Sequence, residues 1–192
     1  MEEKENLRKE FLKKRKIFES GKADSKIMKN LLNSLRFQNC KKIFTYVSNE
    51  GEVDTHWLID NYPDRKTIAA PRVEGKEMKF YVIGGFNDLE KGFAGILEPK
   101  KGLPEAKLED GKTILLVPAV LFDSECYRVG QGGGYYDKFL DKHKSKNFHK
   151  IGLGYGFQVI EKVPREEHDL PLDLVITENG IISPQSCSSR SK

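Results

Sequence analysis

Thr113-Ile-Leu-Leu-Val-Pro-Ala-Val-Leu-Phe-Asp-Ser-Glu-Cys-Tyr-Arg-Val-Gly-Gln-Gly-Gly-Gly-Tyr-Tyr-Asp137 is the stretch on which the fold turns. It opens with an unbroken apolar run, Thr113–Val117, the pattern of a strand buried on both faces, as in a parallel sheet. Near its end, Gly130-Gln-Gly-Gly-Gly134 places four of the chain's 17 glycines in five positions. The glycines run directly into a helix predicted over residues 135–140. In α/β sheets ligands collect beyond the carboxyl ends of strands, where loops lead into helices. The segment after Val117 is therefore the first place to look for a site.

Outward from that stretch, strands and helices alternate. Leu7, Phe11 and Phe18 recur at helical spacing, and Leu12 widens their stripe. A second helix is expected from an N-cap at Asp24 or Ser25, with Ile27, Met28, Leu31, Leu32 and Leu35 as its apolar face. Residues 42–48 read as a strand and 54–60 as a capped helix ending near Tyr62-Pro63, with Trp57 on its core face. Short strands are expected at 67–70, 79–83, 151–155 and 174–177, and loops with at most one short helix over 84–111. The second glycine cluster, Gly152-Leu-Gly-Tyr-Gly156, reads as a strand end and turn. This alternation predicts an α/β fold: a single-domain three-layer α/β/α with a mainly parallel sheet over residues 1–182. The polar segment 183–192 is expected to be a disordered tail.

Composition narrows the class. A length of 192 residues suits one domain. No apolar run approaches the ~20 residues of a membrane span, and Met1-Glu-Glu-Lys-Glu-Asn-Leu-Arg-Lys-Glu10 has no hydrophobic signal region. Cys40, Cys126 and Cys187 lie far apart, which argues against a disulfide framework or structural zinc and for a reducing compartment. His56, His143, His149 and His168 show no metal-ligand spacing. A cytoplasmic location is expected.

The net charge of +4 is unevenly spread. Through Lys42 there are 13 Lys/Arg against 6 Asp/Glu, a net of +7, and the rest carries −3. The excess centres on Lys4, Arg8, Lys9 and the run Lys13-Lys-Arg-Lys16. Such a helix suits nucleic acid, an anionic surface or an anionic small molecule, or is simply a solvated face. Its apolar stripe predicts a docked helix whose cations serve something nearby.

The glycine loop supplies a candidate. Without Cβ atoms, residues 130–134 can turn successive backbone N–H groups toward one point, where the helix N-terminus adds positive potential. A flexible turn is the plainer reading. Arg128 before the loop and Asp137 after it favour phosphate, offering a guanidinium to its oxygens and a carboxylate to magnesium. The loop matches no common fingerprint: G-x-x-x-x-G-K-[ST] is absent, and G-x-G-x-x-G from Gly130 fails at Tyr135.

Taken whole, residues 117–137 resemble the signature of the 5-formyltetrahydrofolate cyclo-ligase family, V-P-x-x-x-F-D followed by R-x-G-x-G-x-G-Y-Y-D. Arg128, Gly130, Gly132, Gly134, Tyr135, Tyr136 and Asp137 all match. The likeness extends to Lys4 with Leu7-Arg8, to Val47 and Glu52, to Gly95-Ile-Leu-Glu-Pro99, and to His168-Asp169 through Asp173 and Thr177. One departure stands out: Cys126 occupies a position where the family commonly has glycine, so a positive φ there would be strained.

The resemblance implies ATP- and magnesium-dependent cyclisation of 5-formyltetrahydrofolate to 5,10-methenyltetrahydrofolate, with release of ADP and phosphate. The formyl oxygen would attack the γ-phosphate, giving an N5-iminium phosphate that closes on N10. It also implies roles. Lys4, Arg8, Arg128, Val129, Gly130, Gln131, Gly132, Gly133, Gly134, Tyr135 and Tyr136 would bind ATP. Val47, Glu52, Tyr135 and Tyr136 would bind the folate, while Arg128, Tyr135 and Tyr136 would act in catalysis. Asp137 and Asp169 would hold magnesium, with Asp173 as the alternative to Asp169. Tyr46, Phe93 and Ile96 are further lining candidates. ATP and a mono- or polyglutamylated folate are the expected partners, with no nucleic acid and no membrane, and a monomer is expected. Two other readings are a related α/β enzyme acting on another phosphorylated small molecule and a basic nucleic-acid-binding module.

Overall fold

The computed structural model describes residues 2–92, 95–166 and 169–184. Phe93, His168 and all of the tail beyond Pro184, with Cys187, lie outside the described residues. The chain opens with three helices, α1 (Glu2–Lys16), α2 (Gly21–Asn33) and α3 (Leu35–Asn39), followed by strand β1 (Lys42–Phe44) and helix α4 (His56–Asn61). Next come β2 (Thr67–Glu74), β3 (Glu77–Ile83), β4 (Leu89–Lys91), β5 (Leu97–Pro99), β6 (Thr113–Val117), β7 (Leu121–Asp123) and β8 (Arg128–Val129). The last elements are α5 (Tyr135–Lys142), β9 (His149–Leu153), β10 (Val159–Ile160), β11 (Leu174–Thr177) and β12 (Gly180–Ile182).

Seven strands form one sheet in the order β12-β11-β9-β6-β1-β2-β3. The five inner strands are parallel, and β12 and β3 close the two edges antiparallel. Period-two alternation sorts the strand side chains between the faces. Ile43, Ile68, Ile114, Leu116 and Ile176 join Ile27 and Leu31 of α2, Phe37 of α3 and Leu58 and Ile59 of α4 on one face. Phe44, Leu115, Val117 and Val175 meet Phe139 and Leu140 of α5 on the other. The expected three layers follow. β6 lies at the centre, and Ile114, Leu115, Leu116 and Val117 are fully buried. Each such side chain contributes roughly 1.5–3 kcal/mol of burial.

Several local expectations are corrected. α2 starts at Gly21 rather than at a cap on Asp24 or Ser25. Asp24 lies in its first turn and accepts hydrogen bonds from the Tyr155 hydroxyl and the Asp54 N–H. Trp57 is 44% exposed and not core, because α4 buries Leu58 and Ile59 instead. The strand expected over 42–48 stops at Phe44, and the segment 84–111 contains the β4–β5 hairpin. α1 ends at Lys16, so Phe18 packs beyond it, against Tyr155 and Phe157. The glycines of the second cluster admit a ring: a Cβ at Gly152 or Gly154 would come within 2.6 Å of Phe122.

α1 carries Glu2, Glu3 and Glu5 in its first turn and Lys13, Lys14, Arg15 and Lys16 in its last, matching its dipole. It docks through Phe11 onto Val120, Leu121, Val129 and Val163, with Leu7 and Leu12 alongside. That seat belongs to a small sheet, β10-β7-β8, built over the carboxyl end of β6. In the β7–β8 turn, buried Asp123 accepts from the N–H groups of Glu125 and Tyr127, and Cys126 sits at φ 64. The non-glycine residue is therefore held left-handed, as its place in the signature suggests.

Candidate active site

The strand order reverses between β1 and β6, since the chain builds toward β2 on one side of β1 and toward β9 on the other side of β6. A crevice is expected at the carboxyl ends of two such strands. A cavity of about 510 Å³ lies there. Tyr46 and Val47 reach it just beyond β1, and Pro118 just beyond β6. Lys4, Arg8, Val47, Glu52, Asp169 and the whole run from Arg128 to Asp137 line this one cavity. These expected residues are thus brought together, from segments as distant as the first helix and the loop before β11; Phe93 lies outside the described residues.

One end gathers three cations and backbone N–H groups beside paired carboxylates. Gly134 takes a left-handed φ of 66° as it leads into α5, and Gly132 has φ 103°. Arg8 Nε donates to the Gly130 carbonyl at 2.8 Å, tying α1 to the glycine loop, and its guanidinium also pairs with Glu5. Lys4 Nζ lies 2.7 Å from Asp169 Oδ2 and 3.4 Å from Glu166 Oε1. Arg128 pairs with Asp137, its own side chain being 5% exposed. This wall offers what an oligophosphate needs: backbone donors at a helix N-terminus and three cations.

The other end combines carboxylate, hydroxyl and apolar surface. Glu52 ends a turn closed by its N–H to the Asn49 carbonyl at 3.0 Å. Its carboxylate accepts from the Asn49 N–H at 3.0 Å and from Gln131 Nε2 at 2.8 Å. The buried Tyr136 hydroxyl has no hydrogen-bond partner among the described residues. Burial, and then the nearby charge of Glu52, push its pKa well above the ordinary tyrosine value, as they do for Tyr46. Both hydroxyls thus stay protonated as donors; Tyr46 donates to the Val53 carbonyl at 3.0 Å. A buried unpaired donor costs free energy and is best satisfied by an acceptor on a bound molecule.

Val47, Pro71, Val73, Met78 and Ile96 give flat apolar surface nearby. Pro71, Val73, Met78, Asn49 and Glu98 were not anticipated as lining. Glu98 lies in the Gly-Ile-Leu-Glu-Pro stretch, which could have flagged it; the strand residues carry no local signal. Glu98 is 5% exposed and accepts from the Val73 N–H at 3.2 Å.

Among the described residues no group of three or more His, Cys, Asp or Glu forms a metal site. Magnesium commonly needs only one or two carboxylates, taking its other ligands from phosphate and water. Asp137 and Asp169, both on the cavity wall, fit that demand. Asp173 does not line the cavity; it accepts from the Lys150 N–H at 2.6 Å.

The basic run on α1 is largely spoken for. Lys14 pairs with Glu10 at 2.6 Å, Lys9 with Glu5 at 3.7 Å, and Arg15 is buried. No helix among the described residues is long and apolar enough to cross a membrane.

Known proteins resemble this chain in sequence and in fold. The profile of the 5-formyltetrahydrofolate cyclo-ligase family matches residues 1–178. The 5-formyltetrahydrofolate cyclo-ligase of Haemophilus influenzae is 29% identical over 154 residues, 78% of this chain and 82% of that protein. The NMR structure of the Aquifex aeolicus 5,10-methenyltetrahydrofolate synthetase superposes with a TM-score of 0.81 and 34% identity, covering 98% of this chain and 96% of that one. A 5,10-methenyltetrahydrofolate synthetase from Mycoplasma pneumoniae has a TM-score of 0.70 and 25% identity, covering 91% of this chain and 98% of that one. With the signature segment folded around one two-ended cavity, the chain belongs to the 5-formyltetrahydrofolate cyclo-ligase family, a family of ligases.

Proposed function

We propose that this family member converts 5-formyltetrahydrofolate and ATP, with magnesium, to 5,10-methenyltetrahydrofolate, ADP and phosphate. The observation that carries the reading is the joining of two unlike walls in one cavity: Lys4, Arg8, Arg128 and the glycine loop form one, and Glu52, Tyr136 and Val47 the other, the two meeting at the hydrogen bond from Gln131 Nε2 to Glu52. The first wall suits a triphosphate, the second a pterin with its N–H groups and formyl oxygen.

In this mechanism residues 130–134 and α1 hold the triphosphate, and Arg128 faces the charge that develops on the transferring phosphoryl. Magnesium, held by Asp137 and Asp169, would supply charge neutralisation at the phosphates. Glu52 accepts hydrogen bonds from pterin N–H groups and orients the ring, while the free Tyr136 hydroxyl donates to the formyl oxygen or the phosphate beside it. With both substrates fixed, the formyl oxygen attacks the γ-phosphorus and ADP leaves. N10 then attacks the activated formyl carbon, and phosphate departs as the ring closes, taking up the proton that N10 gives up. The protein's contribution is mainly positioning and charge stabilisation. The walls around the reacting groups also limit water, which would otherwise hydrolyse the phosphorylated intermediate.

The test is the appearance of methenyl absorbance on adding 5-formyltetrahydrofolate, ATP and magnesium to the folded protein. Absence of turnover overturns the reading. Stabilisation by sugar phosphates and not by folate plus ATP would instead favour another phosphorylated substrate. A cytoplasmic, monomeric enzyme belongs to the same proposal.

A further inference from the structure

Arg15 is the cation that the sequence hides. It sits inside the run Lys13-Lys-Arg-Lys16, yet its side chain is 4% exposed. At 100° per residue, Lys4, Arg8, Phe11 and Arg15 fall on one narrow stripe of α1, and about 16 Å of helix separates its ends. The amino end of that stripe meets the glycine loop and Asp169. The carboxyl end meets the turn that presents Glu52.

The contacts at that turn are specific. Arg15 Nε donates to the Gly51 carbonyl at 2.7 Å, and Nη2 lies 3.6 Å from Glu52 Oε1. Nη1 is buried and has no hydrogen-bond partner among the described residues. Gly51 takes φ +76°, and a Cβ there would come within 3.4 Å of the Arg15 side chain and carbonyl. Arg15 does not line the cavity, whereas Glu52 does. A buried guanidinium with an unfilled donor is a costly way to fill space, and an apolar side chain of similar volume is often as stable or more so. Its presence calls for a task that packing does not supply.

We propose that Arg15 is a positioning residue: it holds the 49–52 turn and aims the Glu52 carboxylate into the folate end of the cavity. One helix thereby sets both ends of the site, Lys4 and Arg8 serving the nucleotide and Arg15 acting through Glu52. This inference rests on the functional reading above. The two fail separately: the reading fails if the unaltered protein does not turn over 5-formyltetrahydrofolate, the inference only in the variants.

The test compares Arg15→Met, Arg15→Lys, Glu52→Gln and the double variant Arg15→Met/Glu52→Gln, measuring KM for both substrates and thermal stability. Arg15→Met should raise the folate KM about tenfold, the size expected when a charge-assisted contact is lost. The ATP KM should stay within about twofold, because Lys4 and Arg8 keep their places. Arg15→Lys should recover part of the loss. In the Glu52→Gln background, Arg15→Met should add little, since its route to the substrate is already gone. Equal rises in both KM values would show a displaced helix and overturn the proposal. So would an unchanged folate KM, or losses that simply add in the double variant. If Arg15→Met does not fold, Arg15→Lys carries the same comparison, with the folate KM rising alone.

Discussion

Lys4 Nζ touches Asp169 Oδ2 at 2.7 Å, joining residues 165 apart in sequence, and both side chains are mostly buried, at 17% and 16% exposure. Arg128 and Asp137 form a second such pair on the same cavity wall. Lys4 and Arg128, proposed to face phosphate, therefore neutralise Asp169 and Asp137, proposed to hold magnesium. A magnesium–nucleotide complex would exchange both pairs at once, phosphate taking the cations and the metal taking the carboxylates. Free magnesium would have to compete with Lys4 and Arg128 for the same oxygens. The protein should accordingly show little thermal shift with magnesium alone and a clear one with magnesium and ATP together. Tight binding of the bare ion would contradict this.

Lys4→Met removes one side of that exchange. It should weaken nucleotide binding about tenfold, the loss of one charge-assisted contact. Titration calorimetry with a non-hydrolysable ATP analogue reads this directly. Folate affinity should change little, because Lys4 lies at the other end of the cavity from Glu52.

Asp137→Asn tests the metal role at a half-exposed carboxylate, 43% accessible beside the buried Arg128. The exposure limits what the pair adds to stability, so melting should shift by only a few degrees. Turnover should fall at least about a hundredfold and should need more magnesium to recover what remains. A variant of full activity would remove Asp137 from the mechanism.

Gly132→Ala probes the loop. At φ +103° an L side chain is strained whatever space surrounds it, and the new Cβ would lie 3.7 Å from the Arg8 guanidinium carbon. The expected cost is about 1–2 kcal/mol of stability. The ATP KM should rise about tenfold as the loop N–H groups lose their aim. Gly130→Ala, where a Cβ meets nothing within 4 Å and no positive φ is required, is the matched control and should be far milder in stability.

Cys126 offers a test by pH. Burial, with Asp123 nearby, pushes its thiol from 9.0 up to about 11. Between those values the unfolded chain has lost the proton that the folded chain keeps. Fewer protons on the unfolded state mean stability falls as pH rises through that window. Cys126→Ala should flatten the alkaline decline of melting temperature between pH 9 and 11 relative to the unaltered protein. The same burial predicts that Cys126 resists thiol reagents at pH 8 until denaturant is added.

Which features could be read from the chain follows from how local their causes are. β6 is legible because residues 114–117 are apolar without a break, and the glycine loop because its backbone freedom is intrinsic to glycine. Arg128 to Asp137 stand together in one long signature, whereas Lys4, Arg8, Val47, Glu52 and Asp169 come from separate stretches that only the fold brings to the same cavity. β7, β8 and β10 run for only two or three residues and leave no periodic trace. Arg15 reads as one cation in a row of four, since its burial is decided by Gly51, 36 residues away. Trp57 reads as core because it falls on the apolar face of the predicted helix, yet the neighbouring Leu58 and Ile59 take the inner face of α4. Asp24 resembles a cap, but Tyr155, 131 residues on, determines what it binds.

The seat of α1 has a consequence for how the chain is made. Phe11 rests on Val120, Leu121, Val129 and Val163, and Lys4 on Asp169, so α1 finds its place only after residues as far along the chain as Asp169 have been made. α2 is in a similar position, packing against β11 and β12 near the other end. During translation the basic α1 segment, with its stripe of Leu7, Phe11 and Leu12, must therefore wait undocked while the sheet is built behind it. A ribosome-bound chain arrested before residue 160 would leave that helix exposed to proteases and to anionic surfaces such as the ribosome's own RNA. Docking of α1 would be the step that buries Phe11 and Arg15 and completes the cavity wall with Lys4 and Arg8.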